Sequence, residues 1–265
     1  MHAFEYHRPS NVKDALALAF KKEEGRYLAG GQSLVQAMKL RLSSPTDLID
    51  LNAIGDLKAL KAESNAVTIG AMVRHAEVAA SSGVRKAIPA LASLAGIIGD
   101  RQVRHMGTIG GSLANSDPAA DYPAAVLGLG ATIVTSKRKI EADKFFKGLY
   151  ETALEPGELI TAVSFPVPKR AAYMKFKNPA SRFAIVGVFV ADFGGKVRVG
   201  VTGAGPCAFR QTDMEKALAS KFAPESVASI KVKADGLNND LHASPEYRAH
   251  LITVMARRAV EAAIK

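Results

Sequence analysis

The sequence predicts an α+β fold in two domains, and three features of the 265 residues carry that expectation. Short strands alternate with amphipathic helices over residues 1–168. The prolines Pro166 and Pro168 then stop a strand and mark a boundary. Beyond it, β-branched and aromatic runs separated by turn residues predict an antiparallel meander, followed by helices, over residues 171–265. The first domain reads as two subdomains, about 1–55 and 56–168, and the 48% hydrophobic content is enough for more than one core.

Val12, Ala15, Leu16, Ala19 and Phe20 recur at helical spacing, predicting a helix from Val12 to Lys22 with Ser10 as its cap. A strand over Arg26–Ala29, the pair Gly30-Gly31 and an amphipathic segment Leu34–Leu40 opened by Ser33 give the order strand, glycine turn, helix. Strands follow at Leu48–Leu51 and Ala66–Ala71, then a helix over Arg74–Ser81. The apolar stretch Ala87–Ile98 is long enough to predict one buried helix. Leu127–Thr135 and Leu159–Phe165 supply a helix end and strands. The meander is predicted from Tyr173–Lys177, Phe183–Val190 and Val197–Thr202. The final helix is announced by Ser244 as cap, Pro245 at its first position and Glu246 in the positive first turn.

Composition narrows the chemistry. A single cysteine, Cys207, precludes an internal disulfide and cannot ligate an iron–sulfur cluster. The six histidines show no metal-ligand spacing. The formal charge of +10 raises nucleic acid as a partner, but the cations are scattered and no nucleic-acid motif accompanies them; a solvated basic surface or an acidic protein partner explains the same balance. No apolar run reaches membrane-spanning length and the N-terminus lacks the order of a secretory signal, so a soluble, cytoplasmic protein is expected.

Two segments stand out. Ala29-Gly30-Gly31-Gln32-Ser33-Leu34 joins a strand to a helix, and Thr108-Ile109-Gly110-Gly111-Ser112-Leu113 repeats its chemistry. Glycines let backbone amides converge on a ligand, and two amide-rich turns suit a dinucleotide pyrophosphate. Taken alone, the first hexapeptide is also an ordinary strand-to-helix turn. Neither matches GxxxxGK[ST], which disfavours triphosphate hydrolysis. Gly203-Ala204-Gly205-Pro206-Cys207-Ala208 formally satisfies GxGxxA, but Pro206 interrupts the helix that should follow, and a close-packed turn is the simpler reading.

The paired motifs AGGQSL and TIGGSLANSDPAAD resemble those of the FAD-binding medium subunits of the xanthine dehydrogenase and carbon monoxide dehydrogenase family. The likeness extends to YMKFKNPASRFAIVGV (173–188), VGVTGAG (199–205) and SPEYRAHLITVMARRAV (244–260), so it covers both proposed domains. It implies a two-part FAD-binding region of the vanillyl-alcohol-oxidase (PCMH) type and a C-terminal α/β flavoprotein domain with antiparallel sheet and helices. By that resemblance Tyr27, Leu28, Ala29, Gly30, Gly31, Gln32, Ser33 and Leu34, with Thr108, Ile109, Gly110, Gly111 and Ser112, would wrap the FAD diphosphate and ribityl chain. Asp121 would contact a flavin-side hydroxyl, Ile98 and Ile160 would pack on the cofactor, Lys177 would sit near the isoalloxazine ring, and Phe183 would cover one of its faces. Each of the last polar and aromatic residues has a plainer alternative: Asp121 as the cap of a helix from Tyr122, Lys177 as a surface lysine on an edge strand, Phe183 as a core aromatic. Gln32 and Ser33 stand where some relatives carry other side chains, which leaves the backbone cradle intact.

The resemblance further implies an electron-transfer subunit without a catalytic base of its own. Its partners would be a molybdopterin-binding large subunit and a small subunit with two [2Fe–2S] clusters, assembled as a dimer of heterotrimers. Two other readings remain open at this point. One is a self-sufficient FAD oxidoreductase using His75 or His105 as its acid or base. The other is a noncatalytic basic assembly or nucleic-acid-binding protein, supported only by charge.

Overall fold

The computed structural model describes residues 1–21 and 24–265. The chain opens with strand β1 (Glu5–His7), helix α1 (Val12–Lys21) and strand β2 (Gly25–Leu28). Helix α2 (Leu34–Lys39) and strand β3 (Asp47–Asp50) follow. The three strands form a parallel sheet in the order β1-β3-β2. Ser10 is not the cap of α1: the Asn11 side chain accepts from the Asp14 amide at 2.9 Å, one residue later than expected. The predicted end of that helix at Lys22 lies outside the described residues.

A second sheet is antiparallel and five-stranded, ordered β4-β5-β10-β6-β7. Its first strands are β4 (Leu60–Ala62) and β5 (Ala66–Gly70). A helical stretch then runs through α3 (His75–Ala80), α4 (Ser82–Ala87), α5 (Pro89–Gly96), α6 (Arg101–Met106), α7 (Ile109–Asn115) and α8 (Tyr122–Leu129). The single helix expected over Ala87–Ile98 is broken, because Pro89 has no amide to continue α4 and instead starts α5. The sheet is completed by β6 (Thr132–Thr135), β7 (Lys139–Glu141) and, after α9 (Ala142–Phe145) and the small hairpin β8 (Phe146–Gly148) and β9 (Glu151–Thr152), by β10 (Ile160–Pro166).

The expected meander is present as the antiparallel order β11-β12-β13-β14. Its strands are β11 (Arg170–Lys177), β12 (Ala184–Asp192), β13 (Val197–Thr202) and β14 (Phe209–Arg210). Helices α10 (Thr212–Ser220), α11 (Glu225–Ala228) and α12 (Pro245–Ile264) end the chain. Ser244 caps α12 as expected, its hydroxyl accepting from the Tyr247 amide at 3.3 Å. The Gly203 segment is a close-packed turn: φ is +82°, and an added Cβ would lie 2.5 Å from the Ala184 carbonyl oxygen.

Among the described residues, buried apolar side chains form three clusters. One lies beside the parallel sheet around Ile49, Ile54 and Leu57. A second joins the antiparallel five-stranded sheet to α3, α4, α5, α7 and α8 and reaches Tyr173, Phe189 and Ala191 of the meander. The third fills the space between the meander and α10–α12. Helix α8 is buried along its whole length. It lies so close to the meander that a Cβ on Gly200 would stand 2.2 Å from the Ala124 carbonyl oxygen, and one on Gly128 would stand 2.8 Å from the Phe189 ring. Buried Arg198 closes the contact by donating to the Leu127 carbonyl at 2.7 Å.

Candidate functional site

The first motif leaves β2 at Leu28 and reaches α2 through Gly31, whose φ of +72° is a conformation that favours glycine. The loop's carbonyls are tied back into the protein. Asn52 donates to Ala29 at 3.2 Å, and Gln36, with its amide oriented to satisfy both ends, donates to Gly31 at 2.8 Å and Gln32 at 3.1 Å. The N–H groups are not: those of Gly30, Gly31, Gln32, Ser33 and Leu34 donate to no acceptor among the described residues. Unsatisfied donors on a half-buried loop are open to a partner, and a run of them at a glycine pair could hold an anionic group. Tyr27 anchors the preceding strand by donating to the Gly157 carbonyl at 2.9 Å, and burial pushes its hydroxyl pKa up to about 12.

The second motif differs from expectation. It is not a left-handed glycine turn but the junction between α6 and α7, with Gly110 and Gly111 in the first helical turn. Thr108 is extended and caps α7 through Oγ1, which accepts from the Gly111 amide at 3.2 Å. Ile109 donates to Val73 at 3.2 Å and Gly110 to Ala71 at 2.9 Å, so these amides are already committed. Gly110, and Gly107 just before the motif, allow close packing. A Cβ on Gly110 would lie 2.5 Å from the Ala71 Cβ, and one on Gly107 would lie 2.6 Å from His75 Nε2.

The two motifs meet. A Cβ on Gly30 would stand 2.1 Å from the Met106 carbonyl oxygen and 2.7 Å from Gly107 Cα, and one on Gly111 would stand 3.4 Å from the Ala29 Cβ. The second motif thus forms a wall behind the first, whose uncommitted amides remain for a ligand.

The other expected residues fall in distinct places. Asp121 is buried and its side chain does not cap α8. Its carboxylate instead accepts from Tyr173 Oη at 2.6 Å and from Lys175 Nζ at 2.9 Å. Burial pushes the Asp121 carboxyl above the usual range, with Lys175 and Tyr173 pulling it back. Lys177 is exposed at the end of β11, beyond a register shift between Phe176 and Lys177. Phe183 is 48% exposed, which overturns the core-aromatic alternative. A tight loop presents it: Asn178 Oδ1 accepts from Ala180 at 2.9 Å and Ser181 at 3.0 Å, while the Asn178 amide donates to the Phe183 carbonyl at 2.8 Å. Ile98 is half-buried in the α5–α6 connection, and Ile160 is a core side chain of β10.

His75 is not suited to acid–base work on a substrate. His75 is 5% exposed, and burial followed by the charge of Arg104 lowers its pKa to about 4. His105 is exposed on α6, with its Nδ1 2.8 Å from the Arg101 carbonyl. The residues missed from sequence are Asn52, Tyr173 and Lys175. The latter two sit two apart on β11, where strand alternation places them on one face.

Residues 2–168 match the model of a family described as the FAD-binding domain in molybdopterin dehydrogenase. The chain belongs to that family: it is a medium, FAD-binding subunit of the molybdenum hydroxylases, an oxidoreductase component. It is 37% identical to the carbon monoxide dehydrogenase medium chain of Afipia carboxidovorans, over 98% of this chain and 96% of that relative. It is 35% identical to the nicotine 6-hydroxylase medium subunit of Paenarthrobacter nicotinovorans, over 97% and 96%. Its fold matches a chain of reconstituted CO dehydrogenase from Oligotropha carboxidovorans with a TM-score of 0.91 and 36% identity, covering 99% of this chain and 98% of that one. The match to quinoline 2-oxidoreductase from Pseudomonas putida 86 has a TM-score of 0.90 at 28% identity, covering 99% and 97%.

The free amide row fits the diphosphate of FAD, whose negative charge suits N–H donors that no protein acceptor has taken. Among the described residues no helix is long and apolar enough to cross a membrane.

Proposed function

We propose that this chain is the electron-transfer subunit of a cytoplasmic molybdenum hydroxylase, taking electrons from the [2Fe–2S] clusters of a small subunit and passing them to an external acceptor. Hydroxylation would take place on a molybdopterin-binding large subunit, within a dimer of heterotrimers. Residues 1–168 hold FAD as two subdomains, about 1–55 and 56–168, and residues 171–265 complete the site.

The carrying observation is the uncommitted run of amides from Gly30 to Leu34, backed by the wall of the second motif. When bound, FAD supplies a redox centre that exchanges electrons singly or in pairs. The Gly30–Leu34 amides hold the diphosphate, and Thr108 fixes the end of α7 beside it. Ile98 and Phe183 shield the ring end from water, and Asp121 orients the polyol. No proton transfer by a side chain of this subunit is required.

The test uses the purified complex. Selective removal of its flavin should abolish reduction of the external acceptor while substrate still reduces the iron–sulfur clusters. Undiminished flow to the acceptor without flavin would overturn the reading.

A further inference from the structure

Lys175 is the least expected feature of the site. It lies on β11 with its side chain only 2% exposed, whereas Lys177, two residues on, is on the surface. An ammonium removed from water is strongly unfavourable unless its three N–H donors are matched. Here they are. Nζ lies 2.9 Å from Asp121 Oδ1, 3.1 Å from the Ile97 carbonyl oxygen and 3.0 Å from the Arg182 carbonyl oxygen.

The three acceptors belong to three separate segments: the α5–α6 connection, the residue before α8, and the β11–β12 loop. Each either is a residue assigned to the flavin by resemblance or immediately precedes one, namely Ile98, Asp121 and Phe183. The β11–β12 loop is also the one where Arg182 holds a left-handed φ of 63°, a conformation that needs tethering in a side-chain-bearing residue. The Arg182 amide donates to Asn178 at 2.9 Å, and Lys175 fixes the carbonyl on its other side.

We propose that Lys175, rather than Lys177, is the positioning lysine of the flavin site: its ammonium binds Ile97, Asp121 and Arg182 into one constellation, and so sets where Ile98 and Phe183 meet the ring end of FAD and where Asp121 meets its polyol. The inference rests on the placement of those three residues at the cofactor. The bulge between Phe176 and Lys177 explains the difference between the two lysines, because it breaks the alternation that would otherwise direct both to one face.

The experiment compares Lys175→Met, Lys177→Met, Phe183→Ala and the Lys175→Met/Phe183→Ala double variant in the assembled complex. FAD affinity is measured by fluorescence titration, and the flavin environment by visible circular dichroism. Lys175→Met should weaken FAD binding by about tenfold and alter the flavin dichroism, while Lys177→Met changes neither. The double variant should be no weaker than Lys175→Met alone, because a lysine that works through Phe183 couples to it, whereas a purely structural loss multiplies with it. Wild-type affinity and spectrum in Lys175→Met, or multiplicative effects in the double variant, overturn the proposal while leaving the placement of Phe183 intact. Wild-type behaviour of Phe183→Ala overturns that placement instead, and the proposal with it. Should Lys175→Met not assemble, Lys175→Arg retains the charge on a planar fork that cannot reach the same three acceptors. An altered flavin dichroism in that variant supports the proposal, and a wild-type spectrum overturns it.

Discussion

Gly30 and Met106 touch through their backbones: the position of a Cβ on Gly30 is 2.1 Å from the Met106 carbonyl oxygen. Two segments far apart in the sequence are thereby brought into backbone contact, and the glycine is required by what lies across from it rather than by its own dihedral angle. Its neighbour Gly31 is required for the opposite reason, with φ at +72°.

Gly30→Ala should therefore force the first motif away from the second. The obstructing atoms are main chain and cannot rotate aside, so a destabilisation of about 1–3 kcal/mol is expected. Thermal unfolding together with FAD titration checks this. A variant with unchanged melting temperature and affinity would show that the two motifs do not depend on this contact.

Thr108→Ala removes the cap of α7, since Oγ1 no longer accepts from the Gly111 amide. A loss of about 1 kcal/mol is expected, with weaker FAD binding because the wall behind the first loop frays. Thr108→Ser keeps the acceptor and should recover most of both in a urea-denaturation series.

Gly111→Trp places a large ring where a Cβ is already 3.0 Å from Thr108 Oγ1 and 3.4 Å from the Ala29 Cβ. Saturable quenching of FAD fluorescence by the wild-type complex should be lost in this variant. Retained binding would move the cofactor away from the junction of the two motifs.

His75 gives a pH signature. It is held neutral, with its pKa lowered from 6.5 to about 4 by burial first and Arg104 second. Below pH 6.5 the unfolded chain takes up a proton that the folded chain resists. The histidine's contribution is thus complete above pH 6.5 and is lost as pH falls towards 4, amounting to about 3 kcal/mol across that window. Denaturation measured from pH 7 to 4 should show this slope, and His75→Gln should flatten it. An identical slope in the variant would assign the acid sensitivity elsewhere.

Arg248 is buried in α12 and donates to the carbonyls of Ile185 at 2.7 Å and Gly203 at 2.9 Å. Arg248→Met keeps the bulk but orphans both carbonyls and breaks the ion pair with Asp240, and a loss of about 3 kcal/mol is expected. Urea denaturation followed by far-ultraviolet dichroism reads it directly, and a change below about 1 kcal/mol would mean that water replaces the guanidinium.

Much of the fold was legible because local chemistry and global structure agree. The β-branched meander formed where alternation and turn residues placed it, and Ser244-Pro245-Glu246 opened α12 as capping rules require. The parallel sheet was harder to see. β1 is only three residues, Glu5–His7, largely exposed and polar, so nothing local distinguishes it from a loop; its pairing with β3 is set at a distance. The glycine motifs were visible as composition, but their division of labour was not. Which amides are free depends on Ala71 and Val73, which no spacing rule connects to Gly110 and Ile109. Lys177 stands in a recognisable motif, yet a bulge, invisible in sequence, leaves it on the surface and gives the buried position to Lys175.

The fit of α8 against the meander carries a consequence for inheritance. Gly128 on the helix and Gly200 on the sheet permit an approach that no larger side chain tolerates, and in sequence they lie before and after Pro166 and Pro168. Exchange of the C-terminal half between relatives would retain its seat on α8 only if the incoming sheet carried its own glycine opposite Ala124. The two halves should consequently have changed in step through descent, as one unit rather than as interchangeable modules.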